Sequence, residues 1–276
     1  MTGAVEDPVW FVTGCSRGVG RSLAARLAGS GARGVVTARS REALSGIDGS
    51  RLVGAELDVR DQQSIRAAVD LVLRTFGRID VLVNNAAVNV LGAVEEVTDD
   101  EIRLVIETNL LGPVHLTRAV LPHMRARRAG HVISVSSVGG FNGAPGLGIY
   151  SASKFGLEGV MESLAAEVAP VGIKVSLVEP GRISSGMRDP ESTIRTRRQL
   201  DDYAESSGRT RAAMDAPQKP SAISPDEVAS RIVELASLDV PPLRLPVGDG
   251  LPRIRDKVES LARELGELAA SEAARV

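Results

Sequence analysis

Short β-branched apolar runs alternate with longer helical stretches over the first two thirds of this 276-residue chain. Val9–Thr13, Gly34–Ala38, Arg51–Leu57, Val81–Asn84, His131–Ser136 and Lys174–Glu179 read as strands. Gly18–Ala28, Gln62–Phe76, Asp99–Arg127 and Ser151–Ala169 read as helices. Most of these strands are apolar on both sides, as parallel strands buried between two helix layers must be. Strand–helix alternation implies right-handed crossovers and a doubly wound parallel β-sheet with helices on both faces. The expected fold class is α/β, with residues 1–276 forming a single domain.

The pattern changes after Gly181. Residues 182–224 are polar and rich in Ser, Arg and Pro. An insertion of this length in a compact domain is usually a lid or binding loop, or partly disordered. Order returns at Ser224-Pro225-Asp226-Glu227, where Ser suits an N-cap and Pro the first helical position. Residues 251–276 read as a C-terminal helical tail, in which Ile254, Val258, Leu261, Leu265 and Leu268 form a stripe at helical spacing. That stripe is expected to pack against the body or a second subunit.

Thr13-Gly14-Cys15-Ser16-Arg17-Gly18-Val19-Gly20 joins the first strand to the first helix. Glycines permit a tight turn and close backbone approach, and the helix N-terminus beyond offers free N–H groups to a phosphate. The spacing Gly-x-x-x-Gly-x-Gly differs from the commoner dinucleotide fingerprint. In a strand–turn–helix context it still predicts nucleotide binding by Gly14, Ser16, Arg17, Gly18, Val19 and Gly20. An NAD site would place a carboxylate at the end of the second strand to bond the ribose hydroxyls. That strand ends Val36-Thr37-Ala38-Arg39 instead. A guanidinium at Arg39, with Arg17 nearby, suits a 2′-phosphate, so the expected cofactor is NADP(H), with NAD(H) the lesser alternative. Two solvated surface arginines are the other reading of the same pair.

Composition removes several function classes. A net charge of -2 gives no general attraction to nucleic acid or an anionic membrane. Cys15 is the single cysteine, which forbids an intrachain disulfide and suits a reducing, cytoplasmic setting. With His115, His123 and His131 it cannot supply a conventional zinc cluster, so no metal is expected. The opening MTGAVEDPVW has neither a basic start nor a long apolar run, and reads as no signal peptide. No stretch reaches the roughly eighteen apolar residues of a membrane-spanning helix.

With Asn84-Asn85-Ala86-Ala87, Tyr150-Ser151-Ala152-Ser153-Lys154 and Pro180-Gly181 added to the glycine-rich turn, the sequence resembles the short-chain dehydrogenase/reductase family. The resemblance is close over residues 8–186 and looser beyond, where Pro241-Pro242-Leu243-Arg244-Leu245-Pro246 also matches. It implies a Rossmann-like fold and an oxidoreductase acting on CH–OH or C=O groups. The family's active-site tetrad falls on Asn109, Ser137, Tyr150 and Lys154. Asp58 and Val59 match the adenine contact, Asn85 and Ala86 the stretch beside the adenosine ribose, and Pro180, Gly181, Ile183 and Ser185 the nicotinamide carboxamide loop. The sequence departs from the family at Ala87, where Gly is common, and at Ser185, where Thr is common. The resemblance further implies a homodimer or homotetramer built on the Asn109 and Tyr150 helices.

Elementary chemistry supports those roles. Hydride transfer belongs to the cofactor, and the protein must position a carbonyl and manage one proton. A free tyrosine titrates near pH ~10, too high for a base at neutrality. Lys154 follows Tyr150 by four residues on one helix face, and its ammonium is expected to lower the phenol's pKa. Ser137 can hydrogen-bond the substrate oxygen as charge develops there. Thr98-Asp99-Asp100-Glu101 reads as a capping box opening the Asn109 helix. Pro113, four residues after Asn109, should bend that helix and free the Asn109 carbonyl to hold a water near Lys154; an ordinary proline kink is the plainer alternative. Residues 138–149 form a glycine-rich wall with Phe141 and Leu147 as apolar contacts, and show no charge cluster. The expected substrate is a neutral, fairly apolar ketone, aldehyde or alcohol, with reduction as the favoured direction. Alternatives are an NAD(H)-dependent alcohol dehydrogenase, an epimerase or dehydratase that retains its cofactor, and a nucleotide sensor without turnover.

Overall fold

The computed structural model describes residues 7–47, 51–184, 192–216 and 223–273. Strand β1 (Val9–Val12) is buried on both faces and leads through the glycine-rich turn into α1 (Gly18–Gly29). There follow β2 (Arg33–Ala38), β3 (Leu52–Glu56), α2 (Gln62–Phe76) and β4 (Val81–Asn84). Asp61 caps α2 by accepting from the Gln63 and Ser64 amides, and Gly77 ends it in the left-handed conformation. A short strand β5 (Asn89–Leu91) precedes α3 (Asp99–Ile106), which opens on the expected capping box of Thr98 and Glu101.

The stretch expected as one helix over Asp99–Arg127 is broken. A π turn spans Glu107–Leu111, closed by the Gly112 N–H reaching back to the Glu107 carbonyl, before α4 (Gly112–Arg127). The π turn sets Pro113 in the first turn of α4, where its missing N–H costs nothing. Strand β6 (Gly130–Val135), helix α5 (Gly148–Val168) and strand β7 (Ile173–Pro180) complete the pattern read from sequence. Further along lie β8 (Thr193–Arg195), α6 (Arg209–Asp215), α7 (Pro225–Ser237, capped by Ser224), β9 (Arg244–Val247) and α8 (Gly250–Ala273).

Seven strands form one parallel sheet in the order β3-β2-β1-β4-β6-β7-β9. Residues alternate between its two faces. Val9 and Phe11 pack with Ile65, Leu116, Leu157 and Met161 under α2, α4 and α5. Trp10 and Val12 pack with Leu23, Leu27, Val228 and Ile232 under α1 and α7. The sheet is therefore doubly wound and Rossmann-like. Its strand order reverses between β1 and β4, and ligands of such sheets bind in the crevice at the carboxyl ends of the strands beside that switch.

The last third divides into two parts. Within 182–224, the described residues 192–216 are folded and pinned: β8 pairs with β5, and buried Glu96 holds the segment. Glu96 accepts from the Ala93 amide at 2.7 Å, the Leu200 amide at 2.9 Å and Arg211 at 2.7 Å. The tail is helical as expected, but Val258, Leu261, Leu265 and Leu268 do not pack on the body and stay exposed, because α8 meets the body only near its start. There the Arg253 carbonyl accepts from Asn142 Nδ2 at 3.1 Å. No helix among the described residues is long and apolar enough to cross a membrane.

Candidate active site

The crevice is built from the loops that leave β1, β2, β3, β4, β6 and β7. At its floor the glycine-rich turn is fitted tightly to the loop after β4. Gly14 has a φ of +73°, and a Cβ there would lie 2.7 Å from the Ala86 Cα. A Cβ on Gly20 would lie 2.2 Å from the Gly14 carbonyl oxygen. Asn85 clamps the turn, donating from Nδ2 to the Thr13 and Gly14 carbonyls at 2.9 and 3.1 Å, while the Asn85 and Ala86 amides donate to Thr13 Oγ1. The backbone is thus held open to a phosphate by residues that leave no room for side chains.

Of the residues expected to hold a dinucleotide, Gly14, Ser16, Arg17, Gly18, Val19, Arg39, Asp58, Val59, Asn85, Ala86, Pro180, Gly181 and Ile183 line this crevice. Gly20 packs beneath the turn instead, and Ser185 lies outside the described residues. Arg39 is exposed at the end of β2. Asp58 is engaged by Arg60 through Nε and NH2, and this pairing holds its carboxyl below the usual range. Arg60, Leu104, Thr108 and Ser192 also line the crevice and carried no sequence signal. Gly181 is required locally: a Cβ there would lie 1.7 Å from Asp249 Oδ1, which accepts from the Arg182 amide at 2.8 Å.

The wall opposite carries Ser137, Tyr150 and Lys154. Ser137 lies two residues past the end of β6 and caps a short turn, its Oγ accepting from the Gly139 amide at 3.0 Å. Gly139 gives the Tyr150 ring room, since a Cβ there would stand 3.0 Å from Tyr150 Cε1. Tyr150 and Lys154 are buried on one face of α5. Burial pushes the Tyr150 phenol up, and a hydrogen bond with Ser137 only partly offsets it. The expected lowering by Lys154 is not seen in the protein alone. The Lys154 Nζ stands 5.9 Å from the ring centroid and donates to the Val135 carbonyl at 2.8 Å. Burial draws this ammonium down to about 8, against the pull of Glu158.

Asn109 is fully buried and does not line the crevice. Its side chain exchanges two hydrogen bonds with the backbone of Val88 and donates to Ser153 Oγ at 3.1 Å. Ser153 in turn donates to the Tyr150 carbonyl at 2.7 Å. Asn109 therefore braces the loop after β4 against the helix that carries Tyr150. Phe141 and Leu147, expected as substrate contacts, do not line the crevice either. Phe141 turns to Arg244, whose guanidinium stands 5.6 Å from its ring, and Leu147 caps α5.

Sequence reasoning missed a buried acidic cluster behind Lys154. Glu158, one turn further along α5, and Glu179, near the end of β7, are both buried. Arg244 reaches them from β9, at 3.2 Å from Glu158 and 3.5 Å from Glu179, and bonds the more exposed Glu162 at 2.8 Å. Burial raises the carboxyl of Glu179 to about 8, helped by neighbouring Glu158 and opposed by Arg244. Glu158 is raised as well, first by burial. The signal was available: Glu158 falls four residues after Lys154, on the same helix face.

Comparison with known proteins matches the short chain dehydrogenase family over residues 8–195. A 3-ketodihydrosphingosine reductase of Bacteroides thetaiotaomicron is 36% identical over 244 residues, 88% of this chain and 89% of the relative. A short-chain dehydrogenase from Streptomyces avermitilis superposes with a TM-score of 0.88 at 37% identity, covering 98% of this chain and 100% of that one. A metagenomic short-chain oxidoreductase in complex with NADP gives a TM-score of 0.70 at 31% identity, covering 89% and 98%.

Proposed function

The chain belongs to the short-chain dehydrogenase family, an oxidoreductase acting on carbonyl and alcohol groups, and we propose that it is an NADP(H)-dependent reductase of a neutral, largely apolar ketone or aldehyde. The observation that carries this reading is the placement of buried Tyr150 and Ser137 across one crevice from the glycine-rich turn. When bound, the nicotinamide supplies the hydride. Gly14, Ser16, Gly18 and Val19 would hold the pyrophosphate, with Asn85 and Ala86 beside a ribose and Pro180, Gly181 and Ile183 at the carboxamide. Arg17 and Arg39 would take the 2′-phosphate, a reading supported by the absence of a carboxylate at the end of β2.

Ser137 orients the carbonyl oxygen, and Tyr150 gives it a proton as the alkoxide forms. A phenol raised by burial stays protonated at neutral pH, the state an acid needs. Lys154 stabilises the phenolate left behind and is itself held by the Val135 carbonyl. Asn109 acts as a positioning residue. Apolar lining by Val88 and Leu104 supports a largely apolar substrate, and the Bacteroides relative is named for reducing a 3-keto compound. We assign the cytoplasm and a homo-oligomer built on the Asn109 and Tyr150 helices to the same reading. Exposed Leu111 and Phe155 on those elements support the oligomer.

Titration of the protein with NADPH and with NADH, followed by nicotinamide fluorescence, tests the cofactor choice. NADPH should bind more tightly, and Arg39→Ala should erase most of the difference; a charge-assisted hydrogen bond of ~1.5–3 kcal/mol corresponds to roughly 10- to 100-fold in affinity. Equal or tighter NADH binding would overturn it. Net oxidation of NADPH by a ketone, with release of the alcohol, separates the reductase from an enzyme that retains its cofactor.

A further inference from the structure

Helix α8 leaves the body after its first turns and presents Leu251, Ile254, Val258, Leu261, Leu265 and Leu268 in strict three–four alternation. Five of the six are large apolar side chains between 43% and 66% exposed. A surface helix that covers a globular core carries a broader apolar face, whereas a seam confined to two positions in seven is that of a coiled coil. Gly266 lies inside the helix, with nothing within 4 Å of where its Cβ would stand. A helix with an interior glycine and an uncovered apolar seam draws its stability from a packing partner. We infer that α8 pairs antiparallel with α8 of a second copy of this chain, by an interface separate from the Asn109 and Tyr150 helices.

The register follows from the seam. A two-fold axis near its middle sets Val258 against the partner's Leu261, Ile254 against the partner's Leu265, and Leu251 against the partner's Leu268. The same register brings Lys257, on the flank of the seam, beside the partner's Glu264, and by symmetry Glu264 beside the partner's Lys257. Both contacts are of opposite sign, and Ala262 on the other flank offers no like charge to Arg255. A parallel pair would instead set Lys257 beside the partner's Ala262 and Glu264 beside the partner's Ala269, and gain neither contact. The helix carries four basic and five acidic side chains, which disfavours an anionic bilayer as the occupant. A self-complementary surface of this kind is what a two-fold axis requires, and two different two-fold interfaces on one chain generate a tetramer.

The single native cysteine, Cys15, is fully buried with its thiol pushed up to about 12, so engineered thiols on α8 can be read alone. Full-length Val258→Cys and Leu261→Cys proteins would be oxidised gently, separately and mixed. A disulfide-linked dimer that forms in the mixture, and far less in either protein alone, is the expected result. Lys257→Glu in both proteins should lower the yield several-fold, and adding Glu264→Lys should restore it. Leu261→Cys linking to itself as readily as to Val258→Cys would mean a parallel pair and overturn the inference. Absence of a link in every mixture would overturn it as well, and flotation of the unmodified protein with lipid vesicles would then identify a bilayer as the occupant.

Discussion

The ammonium of Lys154 donates to the carbonyl of Val135 at 2.8 Å, tying the helix of Tyr150 to the end of strand β6. Buried there, it loses its proton near pH 8, so the charge facing a Tyr150 phenolate disappears above that pH. The kcat/KM for carbonyl reduction should fall as pH rises through about 8. Lys154→Arg keeps its charge at every accessible pH, so a variant slower overall should lack that fall. Paired pH–rate profiles check this; a wild-type profile level beyond pH 9 would contradict it.

Tyr150→Phe removes the proton donor and leaves the ring packed beside Gly139. Turnover should drop by ~10²–10⁴-fold, the usual worth of a positioned acid, while NADPH binding is retained. Parallel measurement of turnover and nicotinamide fluorescence checks it. Loss of both together would point to a folding defect instead.

Glu179 makes stability depend on pH in an unusual direction. Its carboxyl is neutral in the folded protein up to about 8, whereas in the unfolded chain it ionises near 4.5. Between those values the unfolded state binds fewer protons, so stability declines as pH rises across the window. Thermal unfolding midpoints from pH 5 to 8 should decline accordingly, and Glu179→Gln should flatten the decline. Arg244→Met should be destabilising, and increasingly so as pH rises through about 8, because it removes the cation that Glu158 and Glu179 face as they ionise.

Gly20→Ala places a methyl 2.2 Å from the Gly14 carbonyl oxygen and 2.4 Å from Asn85 Nδ2. The turn must shift, at a cost of about 1–3 kcal/mol, and NADPH affinity should fall with it. Gly29→Ala, with nothing within 4 Å, is the control and should leave both unchanged or slightly improved. Denaturant unfolding and cofactor titration separate the two effects.

Much of this was legible in the sequence because it is local. β-branched runs such as Val81–Asn84 fold as read, and the capping box at Thr98 and the cap at Ser224 form as read. Strands β5 and β8, of three residues each, exist only because the fold brings them together, and no periodicity can mark them. β9 ends in Pro246-Val247 and joins the sheet at its edge, where a proline is tolerated. The break at Glu107–Leu111 shows the limit of helical pattern reading: Pro113 signalled a disturbance, and the chain answered with a π turn. Lining residues such as Ser137 and Arg39 follow from strand ends. Phe141 was misjudged because its partner, Arg244, is about a hundred residues away.

The three bonds that converge on Glu96 bear on how such a protein could be re-engineered. Residues 192–216 look exchangeable, since they form an excursion from the sheet whose sequence obeys no obvious pattern. Yet a transplanted segment that failed to bring an arginine in the place of Arg211 and an amide in the place of Leu200 would leave an ionised carboxylate sealed in the scaffold without a counter-charge. Chimeras made by swapping this excursion between relatives are thus compatible only when donor and recipient agree about a single acid in the recipient, whatever the substrates they turn over.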